Sequence, residues 1–192
     1  TQDFNTVISP GLSKINARRK IFDPNGPVIG FMGKEWKRKG LPKVIDIWRE
    51  LRKEIPLARL CLAGFAIDEP IGILKDELKF VDLLGHVVRK EDFYEKIDIL
   101  LHPAQREAYG MVIAEALSIG ISVLCSKETG ASTNQENGLC DSLPYDNSIQ
   151  PWSKLVIKKL NFHPANPSTI FCNSWSETAK DYKLAYENVL LS

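Results

Sequence analysis

The chain has 192 residues, 44% hydrophobic and 26% charged, an ordinary globular composition with enough length for one domain on a sizeable core. Lys plus Arg number 25 against 24 Asp plus Glu, so no charge excess draws nucleic acid or an anionic membrane, and any anion site must be local. No run of about 18 apolar residues reads as a membrane span, and no basic segment leads into a signal-type apolar run.

Residues 1–27 lack periodicity and read as a linker, with Ser9-Pro10-Gly11 as a turn. A start at Thr1 rather than methionine is expected of a fragment of a longer protein. From residue 28 to 192, short β-branched or apolar runs alternate with segments of helical period, the pattern of a parallel sheet flanked by helices. Strands are predicted at 28–33, 59–64, 80–84, 99–102 and 122–125, with a weaker sixth at 138–141. The clearest helix follows the first strand: Leu41, Val44, Ile45, Trp48, Leu51 and Ile55 recur at three- and four-residue spacing, and Pro56 ends the run. Further helices are predicted at 69–79, 91–96, 111–119, 151–160 and 175–191, with 161–173, carrying Pro164 and Pro167, as a loop between the last two. Six parallel strands joined by right-handed crossovers make an α/β, Rossmann-like, doubly wound sheet with helices on both faces. The four cysteines, Cys61, Cys125, Cys140 and Cys172, form no C-x-x-C pair and read as reduced packing residues of a cytosolic protein.

Ligands of such a sheet bind outside the carboxyl ends of its strands, which singles out the loops. After the first strand, Gly33 to Gly40 carries Lys34, Lys37, Arg38 and Lys39 immediately before a helix. A helix N-terminus is worth about 0.3–1 kcal/mol to an anion, and each charge-assisted hydrogen bond about 1.5–3, so the basic side chains contribute more than the helix end. The loop is not G-x-G-x-x-G, which leaves a dinucleotide fingerprint unsupported. Trp36 within it is expected to shield the loop from solvent. After the fourth strand, His102 to Gly110 runs into the helix holding Glu115. On one helix, Glu107 and Glu115 would sit about 12 Å apart along the axis. Glycosidase carboxylates stand about 5–9.5 Å apart, so a shared acid and base role is disfavoured. Two anchors at opposite ends of an extended ligand fit better, because carboxylates accept from sugar and ribose hydroxyls. His86, His102 and His163 show no metal-ligand spacing and read as structural or surface residues.

The segment Glu107-Ala108-Tyr109-Gly110-Met111-Val112-Ile113-Ala114-Glu115 resembles the signature of the family-4 retaining glycosyltransferases of the GT-B fold, two glutamates separated by seven residues. The likeness extends to the Gly30–Leu41 segment with Lys39-Gly40, the Leu84-Gly85-His86-Val87 turn, 99–103 and the helix near Trp175, and so covers essentially one whole half of such an enzyme. The stretch around Glu107 looks most like the lipopolysaccharide core glucosyltransferases.

The resemblance implies a nucleotide-diphosphate sugar as donor, a UDP-sugar before an ADP- or GDP-sugar, with a glycan or glycolipid acceptor held by an N-terminal domain outside this sequence. By position, Arg38 and Lys39 would neutralise the diphosphate and Glu107 would act at the transferred sugar. Ala108, Tyr109, Gly110 and Met111 would contact that sugar through their backbone, Glu115 would take the ribose, and main-chain groups near Val87 would meet the base. No metal and no other cofactor is expected, since basic residues and helix termini do the work of a divalent ion. The expected setting is cytoplasmic, with peripheral contact of the full-length protein at the inner membrane face, and the isolated domain is expected to bind donor without catalysing.

Two departures bear on donor identity. Gly120-Ile121-Ser122-Val123 stands where the family often has Gly-x-Pro-Val, and Glu128 to Asn134 replaces a longer glycine-rich turn. Two other readings stay open: a non-catalytic donor-binding subunit of a split transferase, and a sugar-nucleotide epimerase of the same fold.

Overall fold

The computed structural model describes residues 25–133 and 138–161, together with Lys180 and Lys183. The Ser9-Pro10-Gly11 turn, Asn134, His163, Cys172, the loop prolines Pro164 and Pro167, and most of the closing helix lie outside the described residues. Lys180 and Lys183 within that helix are helical.

Six strands form one parallel sheet: β1 (Val28–Met32), β2 (Arg59–Ala63), β3 (Val81–Gly85), β4 (Ile99–His102), β5 (Ser122–Ser126) and β6 (Cys140–Leu143). Their order is β3-β2-β1-β4-β5-β6, so the winding reverses between β1 and β4. Val28 pairs with Arg59 on one side of β1 and Ile29 with Ile99 on the other. The crevice where strand order reverses is where such sheets take ligands.

Among residues 25–161 the described α-helices that cover the sheet are α1 (Leu41–Leu51), α2 (Glu91–Tyr94), α3 (Met111–Ser118) and α4 (Ile149–Leu160). Alternation along the strands builds two cores. Ile29, Phe31, Leu60, Leu62, Ile99 and Leu101 pack with Trp48 of α1 and Trp152 of α4. Leu100, Val123 and Cys125 pack with Phe93 of α2 and Ile113 and Leu117 of α3. Central strands of a sheet covered on both faces are apolar throughout, and each fully buried Leu, Ile or Phe contributes roughly 1.5–3 kcal/mol. The indole of Trp48 also donates to Ala58 O at 2.9 Å, which ties α1 to the start of β2.

Several predicted elements change, among them the helix at 91–96, which ends at Tyr94, and the helix at 151–160, which starts at Ile149. The helix expected at 69–79 is absent: Pro70 lacks an amide hydrogen, Gly72 sits at φ 83°, and only a 3₁₀ turn forms at Leu78–Phe80. Its backbone is held instead by Arg49, which pairs with Glu77 at 2.8 Å and donates to Gly72 O at 2.9 Å. The first helix ends at Leu51 rather than Ile55, and the last four residues form hydrogen-bonded turns before Pro56. The sixth strand lies two residues later than expected. At the predicted linker's end, Pro27 O accepts from Arg59 N at 2.8 Å, so the sheet's backbone network already includes residue 27.

Candidate functional site

The loops after β1 and β4 meet at the winding reversal. Gln105 N donates to Arg38 O at 3.0 Å, and the Arg38 guanidinium donates through Nη1 to Arg106 O. Each loop ends on a left-handed glycine that starts a helix: Gly40 at φ 86° before α1 and Gly110 at φ 90° before α3. A side chain at residue 40 would be strained by that φ, and its Cβ would lie 1.8 Å from Pro103 O. Neither helix has a side-chain cap or an acidic residue in its first turn. Both helix N-termini therefore keep backbone amides without a side-chain cap.

Glu107 sits in the loop between β4 and α3, three residues before Gly110. Its Oε2 is 3.2 Å from Lys39 Nζ and 3.9 Å from both Arg38 Nη1 and His102 Nε2, and its side chain keeps 15% exposure. Arg38 is aimed by Glu35, accepting at 2.7 and 3.1 Å; the same bonds hold the Glu35 carboxyl below the usual carboxylate range. The Glu107 backbone is stitched to the loop after β5: Glu107 N donates to Glu128 O at 3.1 Å and Gly130 N to Glu107 O at 3.2 Å. Ala131 N donates to Tyr109 O at 2.8 Å. This fixes the segment from Ala108 to Met111, in which Ala108 is exposed, Tyr109 is 49% exposed and Met111 is 42% exposed.

Glu115 occupies a different environment. It is 2% exposed, accepts from Tyr94 Oη at 2.6 Å and pairs with Lys90 Nζ at 2.5 Å. Burial, with the Glu115 charge adding to it, pushes the Tyr94 phenol well above its ordinary range. Lys90 belongs to the turn after β3, which also carries the half-buried Val87; through Lys90 this turn reaches Glu115. Arg38, Lys39, Glu107 and the 108–111 segment are thus gathered around one crevice, whereas Glu115 is buried among protein partners.

Sequence reasoning missed three features here. His102 is fully buried at the end of β4, and desolvation, with Lys39 adding to it and Glu107 opposing, lowers its pKa to about 4, so it is neutral at pH 7. Tyr94 and Lys90 hold Glu115 from another element, and Thr129 bridges to Glu107 from beyond β5. Tyr94, Lys90 and Thr129 are distant in sequence from the glutamates they meet, and no local motif marks them or His102. Trp36, in the turn between β1 and α1, is 9% exposed and packs with the α1 cluster. Among the described residues no group of three or more His, Cys, Asp or Glu could hold a metal ion, and no helix is long and apolar enough to cross a membrane.

The sequence profile described as "Glycosyl transferases group 1" matches residues 26–151, about two thirds of the chain, including the basic loop and both glutamates. The chain belongs to this family. Among relatives of group 1 type, it is 28% identical over 116 residues to the capsular polysaccharide biosynthesis glycosyltransferase CapM of Staphylococcus aureus, a match covering 58% of this chain and 30% of that protein. The chain thus spans under a third of the relative's length. Among solved structures, WaaG, a glycosyltransferase involved in lipopolysaccharide biosynthesis, superposes with TM-score 0.65 at 19% identity, covering 80% of this chain and 43% of that one. Anabaena Alr3699/HepE, solved with UDP and glucose, gives TM-score 0.60 at 20% identity, covering 84% and 46%. These likenesses show the fold of this group 1 domain, the doubly wound parallel sheet of GT-B glycosyltransferases.

Proposed function

We propose that this domain binds a nucleotide-diphosphate sugar, with a UDP-sugar as the leading candidate, and serves a retaining hexosyl transfer to a glycan or glycolipid acceptor held by a second domain. One observation carries the reading. Arg38 and Lys39 both approach the Glu107 carboxylate at the winding reversal of the sheet, in the loops from which α1 and α3 start with no side-chain cap. An anionic ligand gains from both helix ends and from charge-assisted bonds to Arg38 and Lys39.

In this reading the diphosphate lies against Arg38, Lys39 and the amides that open α3. The hexose lies against Glu107 and the Ala108, Tyr109, Gly110 and Met111 backbone. Glu115 takes the ribose once Lys90, half exposed, swings off its carboxylate. The base lies toward Val87. The acceptor attacks the sugar face from which the nucleoside diphosphate departs, so stabilising that leaving group is the dominant requirement, and the basic pair meets it without a metal. CapM and WaaG are named for capsular polysaccharide and lipopolysaccharide biosynthesis, which supports a surface glycan as product; the reading places the reaction in the cytoplasm, with peripheral contact of the full-length protein at the inner membrane.

Lys39→Ala in the full-length enzyme tests the mechanism. Turnover is expected to fall on the order of 100- to 1000-fold. An unchanged turnover number would remove Lys39 from this role.

A further inference from the structure

Three groups approach Glu107 Oε2 within 4 Å: Lys39, Arg38 and His102. Two of them are the cations that a diphosphate recruits. Arg38 is already committed to Glu35 and Arg106, while Lys39 Nζ has no ion pair other than Glu107 among the described residues. When an anion draws Lys39 away, a mostly buried carboxylate loses its counter-charge, and a carboxylate left so is strongly disfavoured unless another donor replaces it.

His102 stands ready beside it. It is fully buried, its ring lies near-parallel to that of Phe31, and both ring nitrogens lack a hydrogen-bond partner. A leucine or phenylalanine would fill this slot without stranding two polar atoms, so the imidazole costs the unliganded fold stability. Closing Nε2 from 3.9 Å to hydrogen-bond distance takes a shift of about 1 Å.

We infer that His102 is a positioning residue for Glu107: as the ligand takes Lys39, His102 donates through Nε2–H to Glu107 Oε2 and holds that carboxylate against the sugar. The inference rests on the donor-site reading above. It assigns His102 to the hexose end of the ligand and not to the nucleotide end.

Calorimetric titration of the 192-residue chain with UDP and with UDP-glucose tests it, using His102→Phe, His102→Gln and His102→Asn. UDP affinity should fall by a smaller factor in His102→Phe and His102→Asn, because its diphosphate also takes Lys39 from Glu107 while no sugar needs that carboxylate. UDP-glucose affinity should fall about ten-fold in His102→Phe and His102→Asn, the loss of one charge-assisted hydrogen bond, and recover in His102→Gln, whose amide nitrogen reaches the place of Nε2. Wild-type affinity for UDP-glucose in His102→Phe would overturn the inference, as would an equal loss for both ligands. Should His102→Phe not fold, the glutamine and asparagine variants carry the comparison, and equal behaviour of the two overturns it. Failure of the wild-type chain to bind either ligand would instead overturn the donor-site reading.

Discussion

Lys39 Nζ lies 3.2 Å from Glu107 Oε2, so the cation assigned to the diphosphate and the carboxylate assigned to the sugar neutralise each other before any ligand arrives. A negative ligand must compete for Lys39. That competition gives the first prediction: Glu107→Gln leaves Lys39 unpaired and should tighten UDP binding by about 2- to 5-fold, measured by calorimetry, the range expected of a partly exposed ion pair. Turnover of the full-length enzyme should fall at the same time, because the sugar loses its carboxylate. Weaker UDP binding in this variant would contradict the competition.

Two glycines at the ends of the basic loop should behave oppositely. A Cβ on Gly33 meets only the Lys39 Cδ at 2.5 Å, and that flexible stem can move, whereas a Cβ on Gly40 meets the Pro103 carbonyl backbone at a left-handed φ. Gly33→Ala should therefore change the urea midpoint little and weaken donor binding several-fold by displacing Lys39. Gly40→Ala should destabilise by about 3 kcal/mol or more, combining strain and overlap.

Tyr94→Phe removes the phenol that donates to buried Glu115 at 2.6 Å. The expected cost is about 1.5–3 kcal/mol in denaturant unfolding at neutral pH. The phenol's raised pKa adds a pH signature. Below the unfolded value near 10 its contribution is fully present; above it the unfolded state releases a proton that the native state keeps, so stability falls as pH rises. The decline above pH 10 should be shallower in Tyr94→Phe than in wild type.

His102 titrates on the acid side. Its folded pKa, lowered to about 4 from the ordinary 6.5, means that between those values the unfolded chain binds a proton the native chain refuses. Stability should therefore drop as pH falls from 6.5 to 4, by on the order of 3 kcal/mol from this residue. His102→Phe should match or exceed wild type at pH 7 in urea unfolding and lose less between pH 7 and pH 4.5. Parallel curves would show that His102 is already protonated or already partnered.

The strands and α1 were legible because their signals are local. The apolar runs at 28–33, 59–64 and 99–102 bury both faces, and the stripe from Leu41 to Leu51 matches the sheet it covers. The helix expected at 69–79 failed because Pro70 and Gly72 set the backbone, which packs Ile71 into the core and leaves Leu74 and Leu78 exposed. Arg38, Lys39 and Glu107 could be named from loop position, and the sheet order then brought them together. His102 could not be: a lone histidine after an apolar run carries no sign that β1, β4 and the Lys39 side chain will enclose it. Nor does spacing reveal that Glu115 meets Tyr94 and Lys90, since that contact depends on how α2 and α3 pack.

The donor site itself is tested most directly by the thermal unfolding of this chain with UDP-, ADP- and GDP-glucose. A ligand present at ten times its dissociation constant should stabilise the fold by about 1.4 kcal/mol, a shift of a few degrees, and the account predicts this for UDP-glucose, with the shift abolished in Lys39→Ala. No shift with any of the three nucleotide sugars would contradict it.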